Sequence, residues 1–267
     1  MKFGYCINML SLPGSDGSGR EFLPMIAESG FDYAELPLAQ MMCYGDSDFQ
    51  RLFLDPLSVS GLECHCCNNF FPAGIRLTGP DADHAGAIEY AKRAMDRAAR
   101  LGARKIVFGS SGARNHPIGF DRGEATGQLE GFLAALMPIA AGLGITVVLE
   151  HLNRGESNLL NSLDEAVELR RRLGLPGLEN LFDHYHLVLG GGSFDEIRKA
   201  GGHLRHVHIA RVLGRSLPRE GEESHIREMF GVLREIGYDG DASIEAYAPV
   251  EDRAASIRDS LVFLKSL

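Results

Sequence analysis

Short runs rich in β-branched and apolar residues alternate eight times with longer stretches of helical period, and this alternation most narrows the folds open to the chain. Strands are predicted near 2–8, 31–36, 61–67, 104–109, 145–150, 178–183, 204–209 and 241–246. Helices are predicted near 19–29, 47–58, 82–101, 121–142, 162–173, 193–200, 222–236 and 250–265. Strict alternation implies parallel pairing, because a parallel neighbour is reached only through a crossover. Eight units imply closure of the sheet on itself. The expected fold is therefore α/β, a (β/α)8 TIM barrel, and 267 residues suit a single such domain over 1–267. Local signals agree. Asp81 after Pro80 reads as the N-cap of the third helix, and Ser162 with Glu165 reads as a capping box opening the fifth, which Gly174 ends.

Four of the predicted strands close on a side chain suited to a hard divalent cation. ITVVLE ends at Glu150, LENLFD at Asp183, LRHVH at His208 and DASIE at Glu245, about one strand-plus-helix unit apart. In a closed barrel the C-terminal strand ends share one mouth, so residues a unit apart in sequence become neighbours in space. A single acidic strand end is as readily a loop or helix cap as a ligand; four at consecutive strand ends favour a metal centre. Three carboxylates and one imidazole are mostly oxygen donors, which points to one divalent ion, Mn²⁺ first, with Mg²⁺ or Co²⁺ as alternatives. Alternation along a strand puts Val148 and Thr146 on the face of Glu150, His206 on that of His208 and Ser243 on that of Glu245. His206, one layer deeper, reads as a partner behind the ligands or a core residue.

Composition limits the partners. The formal net charge of −9 argues against nucleic acid, which calls for a basic face, and leaves a small sugar or sugar phosphate open. No stretch approaches the ~20 apolar residues of a membrane span, and MKFGYCINML lacks the features of a secretory signal. Five cysteines, three of them in ECHCC, are expected to stay reduced in the cytoplasm. They lack the second ligand pair that a structural zinc site needs. A homo-oligomer is compatible with the chain.

The strings EHLNRGESNLL (150–160), DHYH (183–186), HVHIARVLGR (206–215) and YDGDASIEAY (238–247) resemble those of the xylose-isomerase-like sugar isomerase and epimerase superfamily. FDYAELPL (31–38), CNNFFPAGIRLTGPD (67–81) and VFGSSGARNHPIGF (107–120) extend the resemblance over nearly the whole chain. Within the superfamily the pattern is similar to that of ketose 3-epimerases and hydroxypyruvate isomerases. The resemblance implies that Glu150, Asp183, His208 and Glu245 hold the metal and that Glu150 and Glu245 also act as acid and base. It implies further that Glu156, His186 and Arg215 contact substrate oxygens. Two features depart from the pattern: Arg211, where many relatives carry an acidic residue, and the absence of tryptophan.

Taking a proton from carbon next to a sugar carbonyl requires stabilisation of the developing enediolate, which a chelated cation supplies as a Lewis acid. Two carboxylates on opposite sides allow removal from one face and return to the other, inverting the centre. Glu150 and Glu245, three strands apart, therefore favour C3 epimerisation of a ketose. Aldose–ketose isomerisation and dehydration of a cyclic polyol such as an inosose are the alternatives, with a non-catalytic sugar receptor more remote. A DNA-repair nuclease would need more histidine ligands and a basic groove. Three weaker expectations complete the reading. Glu35 caps a helix or braces a loop in preference to bonding a sugar hydroxyl, Arg114 and His116 line the pocket or form simple loop structure, and Arg211, Arg215 and Arg219 cluster after the seventh strand as a solvated loop in preference to a phosphate site.

Overall fold

The computed structural model describes residues 1–221 and 224–267. Eight parallel strands form a closed barrel in chain order: β1 Lys2–Cys6, β2 Tyr33–Pro37, β3 Cys66–Asn68, β4 Lys105–Phe108, β5 Thr146–Glu150, β6 Leu178–Asp183, β7 Leu204–Ile209 and β8 Asp241–Ile244. Gly4 opposite Ser243 and Tyr5 opposite Ile244 complete the circle between β1 and β8. The outward strand residues, among them Val147, Leu149, Phe182 and Val207, join one continuous core with the surrounding helices.

The interior is divided by chemistry. Cys66, Val107, Val148 and Leu181 form a separate apolar cluster on the β3–β6 side. Glu35, His206 and Ser243 occupy the β2, β7 and β8 side, all without solvent exposure. Tyr33 fills the space beside Gly4, where a Cβ would overlap its ring. At the bottom, Lys105 opening β4 ion-pairs across the barrel with Asp241 opening β8, and His65 bonds the same carboxylate at 3.2 Å. The C-terminal strand ends thus sit on an interior already rich in hydrogen bonds.

Several local expectations need correction. The third strand is shorter than 61–67: only Tyr33 and Glu63 make an isolated bridge before Cys66. Gly61, left-handed at φ 73°, ends the preceding helix. The third helix starts at His84, capped by Asp83, whose carboxylate accepts from Gly86 N at 2.9 Å, so Asp81 is not the cap. The predicted helix 47–58 is interrupted by a π turn at Gln50–Leu54, just before Pro56, whose missing N–H disturbs the regular ladder. Ser162 caps its helix by accepting from Glu165 N at 3.1 Å, but Glu165 accepts from Asn161 N instead of completing the box. A short helix, His184–Leu189, follows β6 directly, ahead of the expected one at Asp195–Ala200. The predicted helix 222–236 is observed over Ser224–Glu235, and its first two positions lie outside the described residues.

Candidate metal centre and active site

The barrel brings the four strand-end residues together. One ligand atom from each of Glu150, Asp183, His208 and Glu245 lies within 4.8 Å of all the others, and all four residues are buried. His208 Nδ1 is central: it stands 3.1 Å from Glu245 Oε2, 3.2 Å from Glu150 Oε1 and 3.8 Å from Asp183 Oδ2. Burial pushes the Glu150 and Asp183 carboxyls up, and for both the neighbouring Glu245 adds repulsion. Glu245 goes the other way. Burial opposes its ionisation, but Arg215 and then His208 outweigh that cost and hold the carboxyl below its usual range. Three buried carboxylates within reach of one another are a destabilised set that a cation relieves, so these donors fit a divalent metal ion.

Asp183 divides its two oxygens. Oδ1 accepts from His186 N at 2.8 Å, capping the His184–Leu189 helix, while Oδ2 faces His208. Glu150 is set by its neighbours on both sides. A Cβ at Gly109, just past β4, would overlap its Oε2. Arg114, fully buried, donates to Glu150 O at 2.7 Å and to Phe108 O at 3.1 Å. Arg114 thus braces the ends of β4 and β5 through these backbone bonds, and His116 is partly exposed and bonded into the Asn158 loop.

The three expected substrate contacts gather around Glu245. Arg215 Nη2 is 2.6 Å from Glu245 Oε2, its Nη1 is 3.9 Å from Glu156 Oε2, and its guanidinium lies over the Tyr185 ring. Arg215 is left-handed at φ 44°, an uncommon conformation for a residue with a side chain. His186 Nδ1 takes hydrogen bonds from Asn153 Nδ2 at 2.8 Å and Asn153 N at 3.3 Å. Both donors point at one lone pair, so the ring proton sits on Nε2, a buried atom with no protein partner. Burial, then the Arg215 charge, draws His186 down to about 4, so the ring is a neutral donor near pH 7.

Sequence reasoning missed Asn153, Tyr185 and Gly109, and it gave Glu35 another role. Glu35 is not a cap: it is fully buried inside the barrel beneath His208. The signal was available, since Glu35 is another acid near the end of an apolar strand. Asn153 and Tyr185 lie within strings already singled out, but only the folded loops show what they touch. The arginine cluster separates. Arg215 faces the acidic quartet, whereas Arg211 and Arg219 line a different cavity of about 1140 Å³ with Tyr247 and Phe263. All five cysteines are free thiols. Among the described residues no helix is long and apolar enough to cross a membrane.

The model of a family described as a xylose isomerase-like TIM barrel matches residues 23–267. A D-psicose 3-epimerase of Agrobacterium fabrum is 26% identical over 239 residues, 85% of this chain and 78% of that protein. A ketose 3-epimerase of Arthrobacter globiformis is 27% identical over 254 residues, 93% of this chain and 84% of that protein. A crystal structure of D-psicose 3-epimerase in the presence of D-fructose superposes with a TM-score of 0.87 at 20% identity, covering 100% of this chain and 99% of that one; at that identity the likeness shows the fold.

Proposed function

The chain belongs to the xylose isomerase-like TIM-barrel family, and from that premise we propose that this isomerase inverts C3 of an unphosphorylated ketose, using one divalent metal ion. One observation carries the reading: two buried carboxylates, Glu150 and Glu245, flank the same His208 nitrogen from strands three apart. A substrate between them presents opposite faces of one carbon to two bases. Either carboxylate can take the proton on its own side, and the other can return one on the far side. A single base would restore the original configuration or move the proton to a neighbouring carbon.

Glu150, Asp183, His208 and Glu245 would hold the ion, with Mn²⁺ favoured by the oxygen-rich donor set. When bound, that ion supplies Lewis-acid stabilisation of the charge that develops as the carbon-bound proton leaves. The remaining work belongs to side chains. His186, neutral and protonated on Nε2, donates to a substrate oxygen; Asn153 keeps it in that tautomer. Arg215 and Glu156 bind hydroxyls at the mouth, and Arg215 keeps Glu245 ionised. An unphosphorylated sugar is favoured because only Arg215 of the three-arginine cluster reaches the quartet, and it is already paired with Glu245.

The test is turnover of ketoses with Mn²⁺ in D₂O, followed by NMR. Deuterium at C3 of the epimer is the expected result. Label confined to C1 or C2 would show isomerisation instead. Glu245→Gln should lose about 10²–10⁴-fold in turnover while still binding sugar.

A further inference from the structure

Beneath the quartet lies a polar network that has no place in proton transfer. Glu35 Oε1 is 3.0 Å from His208 Nε2, while Glu35 Oε2 is 2.8 Å from His206 Nε2 and 2.6 Å from Ser243 Oγ. The Tyr33 hydroxyl is 2.8 Å from Ser243 Oγ. Glu35, His206, His208 and Ser243 have no solvent exposure, and neither has Tyr33. An ionised carboxylate only accepts, so the directions of the bonds follow. His208 and His206 donate through Nε2, Ser243 donates its hydroxyl proton to Glu35, and Tyr33 donates to Ser243. The network is thus polarised towards one anion.

We propose that Glu35 is the positioning residue of the metal centre, orienting His208 and fixing its proton on Nε2 so that the Nδ1 lone pair faces the ion. The inference rests on reading the quartet as a metal site. Without an acceptor below, either ring nitrogen of His208 could carry the proton, so that an Nδ1–H could face the cation, and a ring turned over about its Cβ–Cγ bond would present Cδ2–H there instead. The carboxylate removes both alternatives. It also places one negative charge directly behind the imidazole, which raises the basicity of the ligating nitrogen. The three donors that converge on Glu35 fix the carboxylate in turn. Ser243 shares the inward face of β8 with Glu245, and His206 that of β7 with His208, so the strand alternation that builds the site also builds its support.

The experiment measures Mn²⁺ affinity by competition with a chromogenic chelator, alongside the melting temperature of the metal-free protein. Glu35→Gln keeps the shape but removes the charge and leaves a single acceptor. It should weaken Mn²⁺ binding about 10–100-fold. Tyr33→Phe removes an outer bond of the same network without touching the carboxylate, and should leave affinity within about threefold of wild type. Equal Mn²⁺ affinity in wild type and Glu35→Gln overturns the role of Glu35 while leaving the metal centre intact. Equal losses in Glu35→Gln and Tyr33→Phe also overturn it, since they indicate general loosening of the interior. A wild-type protein that binds no Mn²⁺ overturns the metal centre and this inference together. A measurement on the wild type alone covers the case in which Glu35→Gln does not fold. In the Mg²⁺-loaded protein, ¹⁵N–¹H correlation should find the His208 proton on Nε2, and a proton on Nδ1 overturns the proposal.

Discussion

At the scale of single residues, the site depends on how little freedom its acids have. Glu150 ends β5 with its carboxylate against Gly109, where a Cβ would overlap Oε2, and with Arg114 tying its backbone carbonyl to that of Phe108. Gly109→Ala should therefore displace the carboxylate. Since a misplacement of ~1 Å can cost about 10²-fold, turnover should fall by that order while the melting temperature changes little. Steady-state kinetics with thermal unfolding on the same preparation checks this, and unchanged turnover would show that Glu150 needs no such fit. Arg215 shows the same economy, reaching Glu245 from a left-handed backbone position while packing on Tyr185.

At the scale of elements, β6 and the helix after it share one residue. Asp183 caps the His184–Leu189 helix with one oxygen and faces His208 with the other, so the geometry of the acidic quartet and the helix start are coupled. Asparagine caps helices about as well as aspartate. Asp183→Asn should thus preserve the helix, with metal-free stability within about 1 kcal/mol of wild type, yet weaken Mn²⁺ binding by an order of magnitude or more. Chemical denaturation and metal titration separate the two effects. A large loss of metal-free stability would place the role of Asp183 in the fold instead. This helix was illegible in the sequence: DHYH reads as a loop because six residues are too short to show a period, and only the Asp183 cap reveals where it starts. The limits of β3 are likewise absent from the local pattern. ECHCC is apolar enough to be a strand from Leu62 onward, but pairing with β2 and β4 is what sets its limits.

At the scale of the whole molecule, the two ends of the barrel are held differently. The top gathers three buried carboxylates around His208, a set that a cation would relieve; the bottom is closed by Lys105, Asp241 and His65 in a compensated network. Burial would raise Asp241, but the His65 hydrogen bond and the Lys105 charge outweigh it and hold the carboxyl below its usual range. His65 is raised, chiefly by its bond to Asp241. The stability owed to Asp241 is therefore complete above the unfolded carboxylate value and lost as pH falls through the lowered folded one. That owed to His65 is complete below the unfolded imidazole value and lost as pH rises through the raised folded one. Both contributions coincide between about pH 4 and 6.5. Asp241→Asn should destabilise the protein by about 1–3 kcal/mol in that window and by less on either side. Urea unfolding across pH checks this, and a pH-independent difference would contradict the linkage.

The sequence by itself determined the closed barrel, because the alternation of two hydrophobic periods is local and eight repeats of it leave one economical arrangement. It also determined that Glu150, Asp183, His208 and Glu245 meet, since each stands at the end of a strand and barrel closure brings strand ends together. Those four positions needed no knowledge of side-chain contacts. Only the tertiary structure decided what stands behind and around them: Glu35 under His208, Asn153 on His186, Gly109 against Glu150, and Arg215 parted from Arg211 and Arg219. These depend on which side chains meet across the interior and between loops, and on the direction each hydrogen bond must take. Periodicity along one strand carries no information about its partner three strands away.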